Sequence, residues 1–92
     1  VVTYLVERYW PGVTRTEAEE AEARVRQAAA ATGEGPDAVR LVRVTFVPVE
    51  DTVFFFFDAP SEASVIAAGE LAGVPIDRIS ECSDLVGQDL SA

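Results

Sequence analysis

Ninety-two residues, 49% hydrophobic and 25% charged, suit one globular domain near the small end of what folds unaided, and exclude a disordered chain. Seven basic residues against sixteen acidic give a net charge of -9, which argues against a nucleic-acid partner and against an anionic membrane surface. No apolar run approaches the roughly 18 residues of a membrane span, and the opening has no basic-then-apolar signal pattern, so a cytoplasmic location is expected.

The first ten residues, VVTYLVERYW, are rich in β-branched and aromatic side chains, with Thr3 and Glu7 alternating against Tyr4 and Val6. That pattern predicts a strand, and Pro11 and Gly12 stop it. Thr14 and Thr16 each begin a T-x-x-E capping box, with Glu17 and Glu19 as the acidic partners. A helix is predicted to follow as far as Ala31, with Ala18, Ala21, Val25 and Ala28 on one stripe. Early glutamates and later arginines suit its dipole, and TGEGP (32–36) ends it with Gly33 just past the last turn.

Residues 39–50 alternate again. Unbroken alternation puts Val42, Val44 and Phe46 on one face and Leu41, Arg43, Thr45 and Val47 on the other. Pro48 lacks the N–H that a ladder needs, so the strand ends or reaches an edge there. A short turn at Glu50-Asp51-Thr52 leads into VFFFFDA (53–59), making a hairpin. Ser61 is a natural N-cap for a second helix closed by Gly73 and Pro75, and DRISEC (77–82) reads as a fourth strand. The domain is expected over 1–82, with 83–92 a surface tail.

The order β-α-β-β-α-β predicts an α+β, ferredoxin-like fold: a four-stranded antiparallel sheet with two helices on one face. Such a fold leaves the other face bare, and the phenylalanine strand makes that costly. Phe55 and Phe57 point one way, Phe54 and Phe56 the other. A half-solvated sheet normally alternates apolar with polar residues, so the second face should also be covered. A second copy packing sheet to sheet, as in a dimeric α+β barrel, is the expected cover. A bound apolar ligand and a folded-back tail are the alternatives.

The absence of His and the single Cys82 remove Ser-His-Asp and Cys-His catalysis, and no glycine-rich phosphate loop is present. Cys82 is expected to be an inert, half-buried thiol. Glu7 and Arg43 interrupt apolar strands. Either they point into a space between two protomers, or they pair with each other, Arg8 or Asp58 at the sheet rim. Glu7, Arg43, Thr45 and Phe55 form the candidate ligand-binding set, with Glu7 the one candidate acid or base. Tyr4, Tyr9 and Trp10 either stack on a flat ligand or cap the core. Glu17, Glu20 and Glu22 read as a solvated helix face supported by Arg24 and Arg26.

YLVERYWPGVT (4–14) and VEDTVFFFFDAPSEASVIAAGELAGVPIDRISE (49–81) together resemble a small bacterial family of uncharacterised ferredoxin-like proteins that includes an actinobacterial nickel-binding protein. The resemblance rests on YLVER with AG-x-P-x-DRI and implies a ferredoxin-like fold and dimerisation. Relatives often place a Cys in the third strand and a His in the second helix. Phe55 and Ala68 occupy those positions here, so the nickel ligands do not carry over. The expectation is a small homodimeric binding protein for a small molecule or cation, with no cofactor and no assigned metal ligand. The alternative is a cofactor-free isomerase or monooxygenase of the dimeric α+β barrel type, working through a buried carboxylate.

Overall fold

The structure, a computed structural model, describes residues 2–85. Its elements are β1 (Val2–Tyr9), α1 (Arg15–Ala31), β2 (Arg40–Val47), a 3-10 turn (Pro48–Glu50), β3 (Thr52–Ala59), α2 (Glu62–Ala72) and β4 (Arg78–Cys82). The strands lie in the order β2-β3-β1-β4 with every neighbouring pair antiparallel. This is the predicted ferredoxin-like arrangement. Of the expected tail over 83–92, residues 83–85 carry no helix or strand and 86–92 lie outside the described residues. Among the described residues, no helix is long and apolar enough to cross a membrane.

Of the two capping candidates, Thr14 is the cap and Thr16 lies inside α1. The Thr14 hydroxyl oxygen accepts from the Glu17 N–H (3.1 Å), and the Glu17 carboxylate accepts from the Thr14 N–H (3.0 Å). Both satisfy donors that the first turn would otherwise leave open, a contribution of about 1 kcal/mol. At the other end, Thr32 donates its hydroxyl to the Ala29 carbonyl (2.6 Å) and accepts from the Val39 N–H (2.8 Å). One side chain thus closes α1 and anchors the approach to β2. Gly33 takes the left-handed backbone (φ 76°) that the reversal requires.

The predicted helix stripe is the buried one: Ala18, Ala21, Val25 and Ala28 all lie in the core, joined by Ala29. Its small side chains let α1 approach the sheet closely, and the phenylalanines fill the space between. Alternation along β3 buries Val53, Phe55, Phe57 and Ala59 beneath the helices and turns Phe54 and Phe56 to the other side, half-buried. Tyr4 and Val6 of β1 stand beside Phe57 and Phe55 in the same layer. Full burial of a phenylalanine is worth about 1.5–3 kcal/mol. α2 closes the layer with Val65, Ala68 and Ala72, begun by Ser61, whose hydroxyl accepts from the Ser64 N–H (3.2 Å).

The second strand ends at Val47, as its sequence predicts, because Pro48 has no N–H for the ladder and starts a 3-10 turn instead. One reading of it is corrected: its alternation breaks once. Leu41 pairs with Phe57 and Arg43 with Phe56, leaving Val42 without a partner: a β-bulge. Leu41 therefore enters the core at 5% exposure, while Arg43 turns outward. At the turn, Asp51 binds the end of β1: its carbonyl accepts from the Trp10 N–H (2.6 Å) and its carboxylate from the Gly12 N–H (3.3 Å).

Candidate functional site on the open sheet face

Strand register sets the chemistry of the face that no helix covers. Three rows cross all four strands in the order β2, β3, β1, β4: Arg40–Asp58–Thr3–Cys82, Arg43–Phe56–Leu5–Ser80, and Thr45–Phe54–Glu7–Arg78. Phe56, Leu5 and Phe54 form a half-buried apolar band in the middle. Arginines and carboxylates stand around it. The rows hold three arginines against two carboxylates, on a chain with seven basic and sixteen acidic residues. This face is therefore close to charge-balanced, and the strong negative charge lies elsewhere on the protein.

Each carboxylate on the face has a partner. Asp58 accepts a hydrogen bond from the Thr3 hydroxyl (2.8 Å) and another from Arg40. Both favour the ionised form, and they hold the Asp58 carboxyl below its ordinary pKa. Glu7 lies 3.6 Å from Arg78, its registered neighbour on β4. It does not pair with Arg43, Arg8 or Asp58. The side chains of Glu7 and Arg78 are 28% and 72% exposed, so this is a rim ion pair and not an isolated buried acid. Burial, and then the charge of Asp84, push the Cys82 thiol up, which keeps it protonated and a poor nucleophile.

Arg43 is placed differently. Its guanidinium lies 3.9 Å from the centroid of the Phe56 ring, and the exposed carboxylate of Asp84 makes a loose ion pair with it at 4.0 Å. Thr45 flanks Phe54 in the next row and also borders a groove of about 480 Å³ between α1 and the edge of β2. Glu7, Arg43 and Thr45 thus share the open face. Phe55 does not join them. It is 1% exposed in the core between sheet and helices, because β3 alternation gives the open face to Phe54 and Phe56. Phe56, Leu5 and Arg78 belong to the face instead. The β1–β4 register, which brings Arg78 beside Glu7, has no short-range sequence signal.

The other candidates resolve as structure. Tyr4 is buried, Tyr9 is 60% exposed, and Trp10 carries the Arg8 guanidinium 3.7 Å from its ring centroid, so the three share no stacking surface. On α1, Glu22 pairs with Arg26 (3.0 Å), Glu17 belongs to the cap and Glu20 is exposed. A cleft of about 690 Å³ opens between the end of α1 and the start of β2, edged by Arg26, Gly33, Val39 and Arg40.

A first-row transition metal asks for imidazole or thiolate donors. The chain has no His, and among the described residues no three His, Cys, Asp or Glu side chains converge. Phe55 and Ala68, at the positions where the resemblance implies Cys and His, are 1% and 2% exposed members of the apolar core. These residues do not fit such a metal.

Comparison with known proteins agrees with this architecture. The family described as "Nickel responsive protein SCO4226-like" matches residues 4–82. The crystal structure of SCO4226 from Streptomyces coelicolor A3(2) superposes with a TM-score of 0.70 at 22% identity, covering 91% of this chain and 99% of that one. At that identity the likeness speaks for the fold. No curated protein matches the sequence.

Proposed function

The chain belongs to the SCO4226-like family, and from that premise we propose that it is a small binding protein, acting as a homodimer whose two open sheet faces meet around a small ligand. The observation that carries this reading is the apolar band of Phe54, Phe56 and Leu5 on a face without helices. Apolar area of that kind, rimmed by polar groups, marks an interaction surface. The near balance of charge around the band supports a second copy as the cover. Two molecules of net charge -9 repel over most of their surfaces, and on this face the repulsion is least. A face meeting its own copy across a two-fold axis needs self-complementary chemistry, and paired arginines and carboxylates supply it.

For the nickel in the family's description, we propose that this chain offers no nickel site of the imidazole or thiolate kind. The donor chemistry supports that reading: no His, one Cys, and apolar core at Phe55 and Ala68. The isomerase or monooxygenase alternative draws less support, since Glu7, its one candidate base, sits beside Arg78 at the rim.

Native mass spectrometry of untagged protein, purified without chelators, tests the reading. The expected spectrum is dominated by a dimer. A folded monomer with its full circular dichroism would overturn it. Nickel added to the same sample is expected to give no saturable binding by calorimetry.

A further inference from the structure

We propose that the ligand of the open face is a small flat molecule bearing a carboxylate or similar anion, with Arg43 as the group that recognises it. This inference rests on reading the open face as the binding site. The charges on the face select the class. A cationic ligand needs a carboxylate held on the face and free of arginine, yet Asp58 is engaged by Thr3 and Arg40, Glu7 faces Arg78, and the exposed Asp84 stands beside Arg43. An anionic ligand needs a cation that it can take over. Arg40 is hydrogen-bonded to Asp58 and Arg78 lies 3.6 Å from Glu7, whereas Arg43 makes the loosest ion pair of the face, 4.0 Å to the exposed carboxylate of Asp84, which a ligand carboxylate can replace.

Geometry adds to charge. Contact with the Phe56 ring, 3.9 Å from the guanidinium carbon, holds Arg43 against the face, so little side-chain freedom remains to be lost on binding. A guanidinium presents a planar fork of N–H donors that matches a carboxylate with two parallel hydrogen bonds. The rest of the ligand meets the band beside the fork. Phe56 and Leu5 share the row with Arg43, and Phe54 and Thr45 make the next row, with the Thr45 hydroxyl available to a second polar group. An apolar or aromatic body ending in a carboxylate fits that order of groups.

The test is a titration of the full chain, followed by NMR, with benzoate, benzyl alcohol and benzylammonium as probes, and the mass of the species measured in the same buffer. Saturable shifts at Phe54, Phe56 and Arg43 are expected with benzoate, and weaker or absent shifts with the other two. R43Q is expected to weaken benzoate about tenfold or more, R43K less, and R24Q on α1 not at all. Equal binding of benzylammonium or benzyl alcohol, benzoate binding unchanged in R43Q, or no binding of any probe would overturn the proposal. If these failures occur in a dimer, the ligand class falls and the dimer reading stands; a monomer removes the dimer reading itself.

Discussion

Leu41 and Arg43 lie two residues apart on one strand yet face opposite sides of the sheet, one paired with Phe57 in the core and the other with Phe56 on the open face. Bulges re-aim side chains in this way, and here a single extra residue, Val42, decides whether a guanidinium is buried or presented. Without the slip, the register set by Leu41 would place Arg43 opposite Phe55, inside the apolar layer. Burying an unpaired charge there would cost several kcal/mol, so the bulge and the arginine depend on each other.

Deleting Val42 is accordingly expected to be tolerated. Leu41 and Arg43 become adjacent, and ordinary alternation then sends one inward and the other outward. The melting temperature should fall by no more than about 4–8 °C, as for a loss near 1 kcal/mol in a domain of this size. Deleting Phe56 is the contrast, because it turns Phe55 and Phe57 to opposite faces and should prevent folding. If the Val42 deletion also fails to fold, the valine itself packs in a way the register does not convey.

The two faces of the phenylalanine strand separate stability from association. Phe55→Ala removes a ring that is 1% exposed and should cost about 3–5 kcal/mol in urea unfolding. Phe56→Asp places a charge in the half-buried band and should leave the monomer fold near intact while halving the mass seen by light scattering. A Phe56→Asp protein that keeps its dimer mass would put the contact between copies on another surface.

Most of the architecture was legible because its signals are local. Thr14 with Glu17, Ser61 with Gly73, and the 3.6-residue spacing of Ala18, Ala21, Val25 and Ala28 involve residues within a few turns of one another. The site was legible only in part. Glu7, Arg43 and Thr45 stood out as polar breaks in apolar strands, whereas the pairing of Glu7 with Arg78 depends on register between segments 71 positions apart. Phe55 was misplaced for a different reason: period-two alternation separates Phe54 and Phe56 from Phe55 and Phe57 without saying which pair lies under the helices. The bulge at Val42 carries no signal in composition, since Val-Arg-Val reads as unbroken strand.

Asp58 makes stability depend on pH. Hydrogen bonds from Thr3 and Arg40 lower its folded-state pKa below the ordinary carboxylate value of about 3.9. A depressed carboxylate pKa stabilises the fold above the unfolded value and loses that contribution as pH falls through the folded one. Unfolding free energy measured between pH 6 and pH 2 should therefore decline in the acid range, and Asp58→Asn should flatten that part of the decline. Thr3→Val, which removes the larger cause, should move it to higher pH. An acid profile unchanged in both variants would assign the decline to other carboxylates.

Arg8 is expected to be dispensable for stability in a particular way. It stands opposite Val53, on the helix side of the sheet, and its Nη1 is buried with no hydrogen-bond partner. Burial and the nearby charge of Arg24 push its pKa down. The two carboxylates nearest in effect are already engaged, Asp77 by the Tyr9 N–H (2.7 Å) and Glu17 by the cap of α1. An unsatisfied buried donor costs about 1–3 kcal/mol, and a cation–π contact such as that with Trp10 returns about 0.5–2. The charge is therefore near neutral or unfavourable for folding, while the aliphatic stem packs usefully on Trp10. Arg8→Met keeps a stem of similar length and discards the unpaired donor, so its melting temperature should equal or exceed that of the parent. Arg8→Ala discards the stem as well and should fall below it. The order Met, parent, Ala is the diagnostic; a methionine variant that melts clearly below the parent would mean the guanidinium itself stabilises the fold.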